Sequence, residues 1–82
     1  MNYVFTEMSE NGERISVKYR VNPGEKVGIT GECTIDDEKE TVESPKIFFT
    51  EEEAGCWCSW LVENKVLPSS LNQILSDELY IL

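Results

Sequence analysis

Histidine is missing from this chain of 82 residues. It is the side chain that most often serves as a general base near neutral pH, and it is also the commonest metal ligand. The acidic pairs that remain, Asp36 with Glu38 and Glu51 with Glu53, fall in an expected loop and an expected first helical turn. Catalysis by paired carboxylates needs a pocket that separates their pKa values, whereas carboxylates in loops and helix starts are solvated. We therefore expect no enzyme activity and no catalytic residue.

Basic residues are few, with seven Lys and Arg against sixteen Asp and Glu, which gives a net charge of −9 at pH 7. Affinity for nucleic acid comes largely from cations that displace counterions from phosphates. Arg14, Lys18 and Arg20 can share one strand face, but three charges make a weak patch. We expect no direct nucleic-acid binding, and we expect the acidity to favour solubility or a basic protein partner.

Long apolar runs and a secretory signal are also missing. No apolar run exceeds three residues, as in Trp60-Leu61-Val62, whereas a helix needs roughly 20 to span a bilayer. The start of the chain, Met1-Asn2-Tyr3-Val4, has neither the basic region nor the apolar core of a secretory signal. Three cysteines, an odd number, fit reduced thiols better than a disulfide framework. These features predict a cytoplasmic protein without membrane contact.

Apolar and polar residues alternate in the first half of the chain, and a period of two is typical of a strand with one buried face. We predict strands over residues 3–8, 14–21, 26–35 and about 40–49, with a tight hairpin at Asn11-Gly12. Pro45 cannot donate to a ladder, so the fourth segment is expected at an edge or with a bulge. The buried face of the second strand is predicted to hold Ile15, Val17, Tyr19 and Val21.

The second half has helical signals. Thr50-Glu51-Glu52-Glu53 is typical of a capping box at a helix start. The helix is expected to end near Lys65, because Pro68 disfavours helical geometry in the preceding residue. Ser69 or Ser70 is expected to cap a second helix. The predicted apolar stripes are Ala54, Trp57, Cys58, Leu61 and Val62 on the first helix, and Leu71, Ile74, Leu75 and Leu79 on the second.

Together these segments predict one small domain over residues 1–82, because no repeat, linker or low-complexity tract divides the chain. The fold class is α+β. A four-stranded antiparallel meander is followed by two short helices that pack on one face, in the order ββββαα.

The helical half resembles an uncharacterised family of short proteins from Clostridia-type bacteria. The residues that carry the resemblance are Asn64-Lys65-Val66-Leu67-Pro68, then Leu71, Ile74 and Ser76-Asp77, together with the N-terminal Tyr3-Val4-Phe5-Thr6-Glu7 and the Asn-Gly-Glu that follows. The resemblance covers roughly half of the chain. It implies an N-terminal strand, a helix broken by N-K-V-x-P and a final short helix, in a bacterial host, and it implies no activity. The cluster Cys56-Trp57-Cys58 departs from the family's pattern.

The cysteines are the most chemical feature of the sequence. Cys56 and Cys58, with Cys33 as a third thiolate, suggest a metal or redox site, but ligand pairs in zinc sites are usually separated by two to four residues. Residues two apart on a helix also point in different directions. The acidic residues from Asp36 to Glu43 lack the central glycine of a calcium loop. We expect no metal, no cofactor and no small-molecule ligand, and we expect the cysteines to act as small apolar groups.

Trp60 is the residue that most favours an interaction surface. It falls with Cys56 at the edge of the apolar stripe, beside polar residues, and tryptophan there is typical of interface anchors. The alternative is that Trp60 packs under the second helix or over the sheet edge. The candidate interaction surface is Trp60 and Cys56 with Tyr80 and Leu82 of the apolar tail.

The leading interpretation is a non-catalytic, acidic protein-interaction module, for which a second copy of the chain is one candidate partner. The alternative is an acidic inhibitor or nucleic-acid mimic that occupies the basic groove of another protein. The mimic predicts binding that weakens steeply with salt, whereas the module predicts salt-tolerant binding that depends on Trp60.

Overall fold

The computed structural model describes residues 2–79, apart from the side chain of Leu79. The strands are β1 (Asn2–Met8), β2 (Arg14–Asn22), β3 (Gly28–Ile35) and β4 (Glu38–Glu43), and they form one antiparallel sheet in the order β1-β2-β3-β4. Helix α1 (Glu51–Glu63), a 3₁₀ turn (Pro68–Ser70) and helix α2 (Leu71–Leu79) follow. The predicted α+β fold, ββββαα, is confirmed.

The turn between β1 and β2 differs from the tight hairpin that was predicted at Asn11-Gly12. Only Gly12 has a positive φ there, at 81°, and the loop from Ser9 to Glu13 is closed by a bond from the Ser9 N–H to the Glu13 carbonyl of 2.9 Å. The tight two-residue turn lies instead at Asp36-Asp37, where φ is 46° and 70° between the paired residues Ile35 and Glu38. Two consecutive positive φ values match the twist of a hairpin, and aspartate tolerates them.

Pro45 divides the fourth predicted segment. Strand β4 begins at Glu38 and ends at Glu43, and the chain rejoins the sheet only through an isolated bridge from Phe48 to Val27. The Ser44 hydroxyl accepts the Ile29 N–H at 2.9 Å, so a side chain satisfies this donor where the regular ladder stops. The proline, which has no N–H, therefore lies outside the strand.

The core lies between the helices and one face of the sheet. Val17 and Tyr19 of that face are buried, as predicted, and Ile29 is buried beside them. The helices contribute Ala54, Cys58, Leu61, Leu71 and Leu75. The Tyr19 hydroxyl donates to the Val66 carbonyl at 2.5 Å, which ties the centre of the sheet to the segment after α1. Opposite Tyr19 lies Gly31, where a Cβ atom would be only 2.7 Å from the Tyr19 ring.

Both ends of α1 have capping interactions. Thr50 caps the start, as predicted, because its hydroxyl accepts the Glu53 N–H at 3.1 Å. At the other end Lys65 has a φ of 52°, and the Val66 N–H donates to the Leu61 carbonyl at 2.9 Å. This is a Schellman-type ending with a lysine in the left-handed position that glycine usually holds.

The prediction that Ser69 or Ser70 caps α2 is wrong. The chain enters α2 through the 3₁₀ turn, which has Pro68 in its first position and no side-chain cap. Proline suits that position because its missing N–H would have no partner there. Pro68 is also buried against the sheet at Gly31, so the turn is held by packing.

Candidate functional site

Three residues form an exposed aromatic patch on α1, which we define as Cys56, Trp57 and Trp60. Cys56 is exposed, Trp57 is half-buried and Trp60 is 39% exposed. The two indole rings meet edge to face, with centroids 5.7 Å apart and an interplanar angle of 68°. The three side chains line a shallow depression of about 220 Å³. The helix thus presents apolar rings to solvent beside its buried stripe.

The aromatic patch is flanked by carboxylates. Glu52 and Glu53 lie one helical turn before it and Glu63 lies one turn after Trp60, and all three are exposed. Residues three or four apart on a helix are surface neighbours. Helix α1 contains four glutamates and neither lysine nor arginine. The patch is therefore apolar at its centre and anionic at its rim.

The structure brings together only part of the predicted interaction surface. Cys56 and Trp60 do share one exposed region of α1. Tyr80 and Leu82 lie outside the described residues, so their contribution stays a prediction. Trp57 was predicted within the buried stripe, yet it is half-buried and its ring contacts Trp60. Its spacing of three residues from Trp60 is the sequence signal for this contact.

The three thiols differ in their surroundings, and all three are free. Burial raises the pKa of the Cys58 thiol to about 11. The pKa of Cys33 is also raised, first by burial and then by the charge of Glu40. A raised pKa disfavours the thiolate, which is the metal-binding and nucleophilic form. Across residues 2–79, no group of three Cys, Asp or Glu side chains is arranged to hold a metal ion.

A second polar region lies on the open face of the sheet, opposite the helices. We define the cationic cluster as Lys18, Arg20 and Lys39 around Glu32. The Glu32 carboxylate lies 3.5 Å from the Lys18 ammonium, 3.8 Å from the Arg20 guanidinium and 3.5 Å from the Lys39 ammonium. Glu32 is 13% exposed, while the three cations are 41%, 47% and 57% exposed. Lys39 reaches this face because β4 begins at Glu38, whereas the sequence predicted a start at about residue 40.

Electrostatics at Glu32 reflect this arrangement. Partial burial acts to raise the pKa of Glu32, but Lys39, Lys18 and Arg20 outweigh it, so the pKa of this carboxyl is lowered. Glu32 therefore stays ionised. From the central position on β3 it attracts two cations of β2 and one cation of β4.

The hairpin ends also hold an acidic pair. The pKa of Glu13 is raised, first by a hydrogen bond with the Asp36 side chain and then by the charge of Asp36. The pair sits between two loops that are far apart in sequence, so no local pattern indicated it. Asp36 is exposed and Glu13 is half-buried.

No protein-family model matches the chain, and neither the curated proteins nor the solved structures yielded a similar one. No helix within residues 2–79 is long and apolar enough to cross a membrane.

Proposed function

We propose that the protein is a non-catalytic interaction module whose docking surface is the aromatic patch on α1. The observation that carries the proposal is the exposed, edge-to-face indole pair on a helix whose other side is in the core. Tryptophan supplies a large contact area at little cost in conformational entropy, and it is enriched among the residues that dominate binding energy. Ring contact with Trp57 restrains Trp60, so part of that entropy is already lost before a partner binds.

The rim of the patch indicates the chemistry of the partner. Two copies that met patch to patch about a two-fold axis would bring Glu52, Glu53 and Glu63 against the same residues of the partner. Like charges at such close range oppose association. We therefore propose a different protein as the partner, with an apolar side chain or shallow pocket at the centre and Lys or Arg around it.

The acidic mimic remains a second candidate because charge is unevenly distributed. Residues 47–64 include no lysine or arginine, and Lys65 is the only cation after residue 46. In the mimic the carboxylates alone bind a basic groove and the tryptophans contribute little. The two functions share a basic partner, but they differ in the residue on which binding depends.

The test is a paired capture from the organism that makes the protein. Tagged wild type, Trp60→Ala and Phe49→Ala are used as baits, and each is washed at low and at high salt. Phe49 is 77% exposed and lies before α1, so its variant is a matched loss of an exposed aromatic ring. The module predicts a basic partner that wild type and Phe49→Ala retain at high salt and that Trp60→Ala loses.

A second bait separates the mimic from the module. The triple variant Glu51→Gln, Glu52→Gln, Glu53→Gln removes three charges and leaves Trp60 in place. The mimic predicts loss of the partner with this triple variant and retention with Trp60→Ala, with elution by moderate salt. A partner that survives Trp60→Ala at high salt would refute docking through the aromatic patch.

A further inference from the structure

The open face of the sheet differs from the rest of the molecule in its charge. Four of the seven basic residues lie on it, Arg14, Lys18, Arg20 and Lys39, whereas Glu32 and Glu43 are the only acidic residues of the strands that face this way. Arg14 lies at one end, where it lines a concavity with Asp36 and Asp37. Positive charge therefore exceeds negative charge on the strands of this face, and three of its four cations form the cationic cluster.

The cationic cluster has hydrogen-bonding capacity to spare. Two ammonium groups and one guanidinium offer roughly eleven N–H donors, whereas one carboxylate offers roughly four acceptor sites. Glu32 cannot satisfy them all, and the three cations remain about half exposed. A second anion that reaches the cluster can therefore bind the cations without displacing Glu32.

The surface beside the cluster is concave and partly apolar. A depression of about 400 Å³ extends from β1 to β4, and Lys18, Glu32 and Lys39 line it together with the hydroxyls of Thr6, Ser16 and Thr34. Val4 lies at its side and is 60% exposed. Hydroxyl donors, cations and an exposed valine together fit a peptide with both acidic and apolar groups.

We propose that this open face binds a short, extended acidic segment of another protein, with its carboxylates on Lys18, Arg20 and Lys39. Charge complementarity is the argument for this occupant. A nucleic acid fits less well, because the strand residues on this face include no aromatic ring on which a base can stack. A long polyanion would also extend beyond the cluster toward a surface that holds most of the sixteen acidic residues. The proposal is independent of the aromatic patch on the opposite layer.

The test is a titration of the full chain with hexaglutamate peptide, blocked at both termini, in about 20 mM salt, where surface charges are little screened. Backbone amide shifts in nuclear magnetic resonance spectra report the site and the affinity. We expect the shifts to fall on the open face of β2, β3 and β4. The double variant Lys18→Gln, Arg20→Gln should weaken binding by about fivefold or more, since each surface charge pair contributes modestly.

A matched control variant has the same net charge as Lys18→Gln, Arg20→Gln. The double variant Lys26→Gln, Lys65→Gln removes two positive charges elsewhere, where Lys26 lies near Phe49 and Lys65 pairs with Glu7. We expect it to weaken the binding of hexaglutamate less than Lys18→Gln, Arg20→Gln does, because neither lysine belongs to the cationic cluster that the peptide contacts.

Glu32→Gln gives a prediction of opposite sign. It removes the carboxylate that competes for the three cations, so binding of hexaglutamate should tighten by about threefold or more. A thermal melt of this variant establishes that it is folded before the titration. A merely structural role for Glu32 would leave the affinity unchanged or lower it.

Three results would overturn the proposal. If the amide shifts do not saturate with hexaglutamate, or if they fall on residues away from the open face, the peptide has no site there. If inorganic phosphate displaces hexaglutamate when both are present at the same concentration, the cationic cluster is a general anion site. Tighter binding of a single-stranded oligonucleotide, lost in Lys18→Gln, Arg20→Gln, assigns the face to nucleic acid.

Discussion

Gly31→Ala should destabilise the fold even though alanine is the smallest possible addition. A Cβ atom at position 31 would lie 2.7 Å from Cε1 of Tyr19 and 3.1 Å from two carbons of Pro68. Neither neighbour moves freely, because Tyr19 is 0% exposed and its hydroxyl donates to the Val66 carbonyl at 2.5 Å. The ring must tilt away from the new methyl group, and this motion weakens that buried hydrogen bond.

The size of the effect follows from opposing contributions. Overpacking of a core typically costs about 1–3 kcal/mol, and a weakened buried hydrogen bond costs about 1 kcal/mol. Replacing glycine restricts the unfolded chain, which offsets about 0.4–1 kcal/mol. We expect a net loss of about 2 kcal/mol in the free energy of unfolding, or a fall in Tm of roughly 8–16 °C for a domain of this size.

Thermal and urea unfolding, followed by circular dichroism, measure this loss. Gly28→Ala is the matched control, because a Cβ atom at that strand position meets its nearest neighbours at an ordinary 3.4 Å. Tyr19→Phe frees the ring from its bond to Val66, so Gly31→Ala should cost less in that background. A Gly31→Ala protein as stable as the wild type would refute the reasoning.

Three further predictions rest on single contacts. Iodoacetamide at pH 8 should modify Cys56 well before Cys58, because burial raises the pKa of Cys58 to about 11; equal rates by mass spectrometry would contradict this. Glu13→Gln should stabilise the protein at pH 7 and not at pH 3. The raised pKa of Glu13 beside Asp36 means that the folded state binds the proton more tightly, so stability falls as pH rises through that pKa. Urea unfolding measures the stability of Glu13→Gln relative to the wild type at both pH values. The same difference at pH 7 and pH 3 would contradict the interaction between Glu13 and Asp36. Thr50→Ala should cost about 1 kcal/mol in urea unfolding by leaving the Glu53 N–H uncapped, and no loss would mean that the cap is dispensable.

The strands and helices were largely predictable because their signals are local. The alternation from Ile15 to Val21 separates the two faces of β2, and Val17 and Tyr19 are buried as it predicts. The Thr50 cap is likewise read from four consecutive residues. The turn at Asp36-Asp37 was missed as a tight hairpin because aspartate is a weaker signal there than the Asn11-Gly12 pair.

What was not predictable depends on register and on packing between elements. The position of Lys39 beside Glu32 follows from the register between β3 and β4, which no local pattern in the sequence sets. The close contact of Gly31 with Pro68 joins residues from different layers. The predicted apolar stripe of the first helix placed Trp57 in the core. The buried face of α1 instead includes Gly55 and leaves Trp57 half-buried.

The most direct test of docking through α1 is a footprint of Cys56, which borders Trp57 and Trp60. The rate of iodoacetamide alkylation is measured for the free protein and for the complex with its captured partner. The variant S69C provides an exposed reference thiol on the 3₁₀ turn. Docking through the patch predicts that the partner slows alkylation at Cys56 about tenfold or more and leaves the S69C thiol unchanged. Equal rates at Cys56 in the free and bound protein would contradict it.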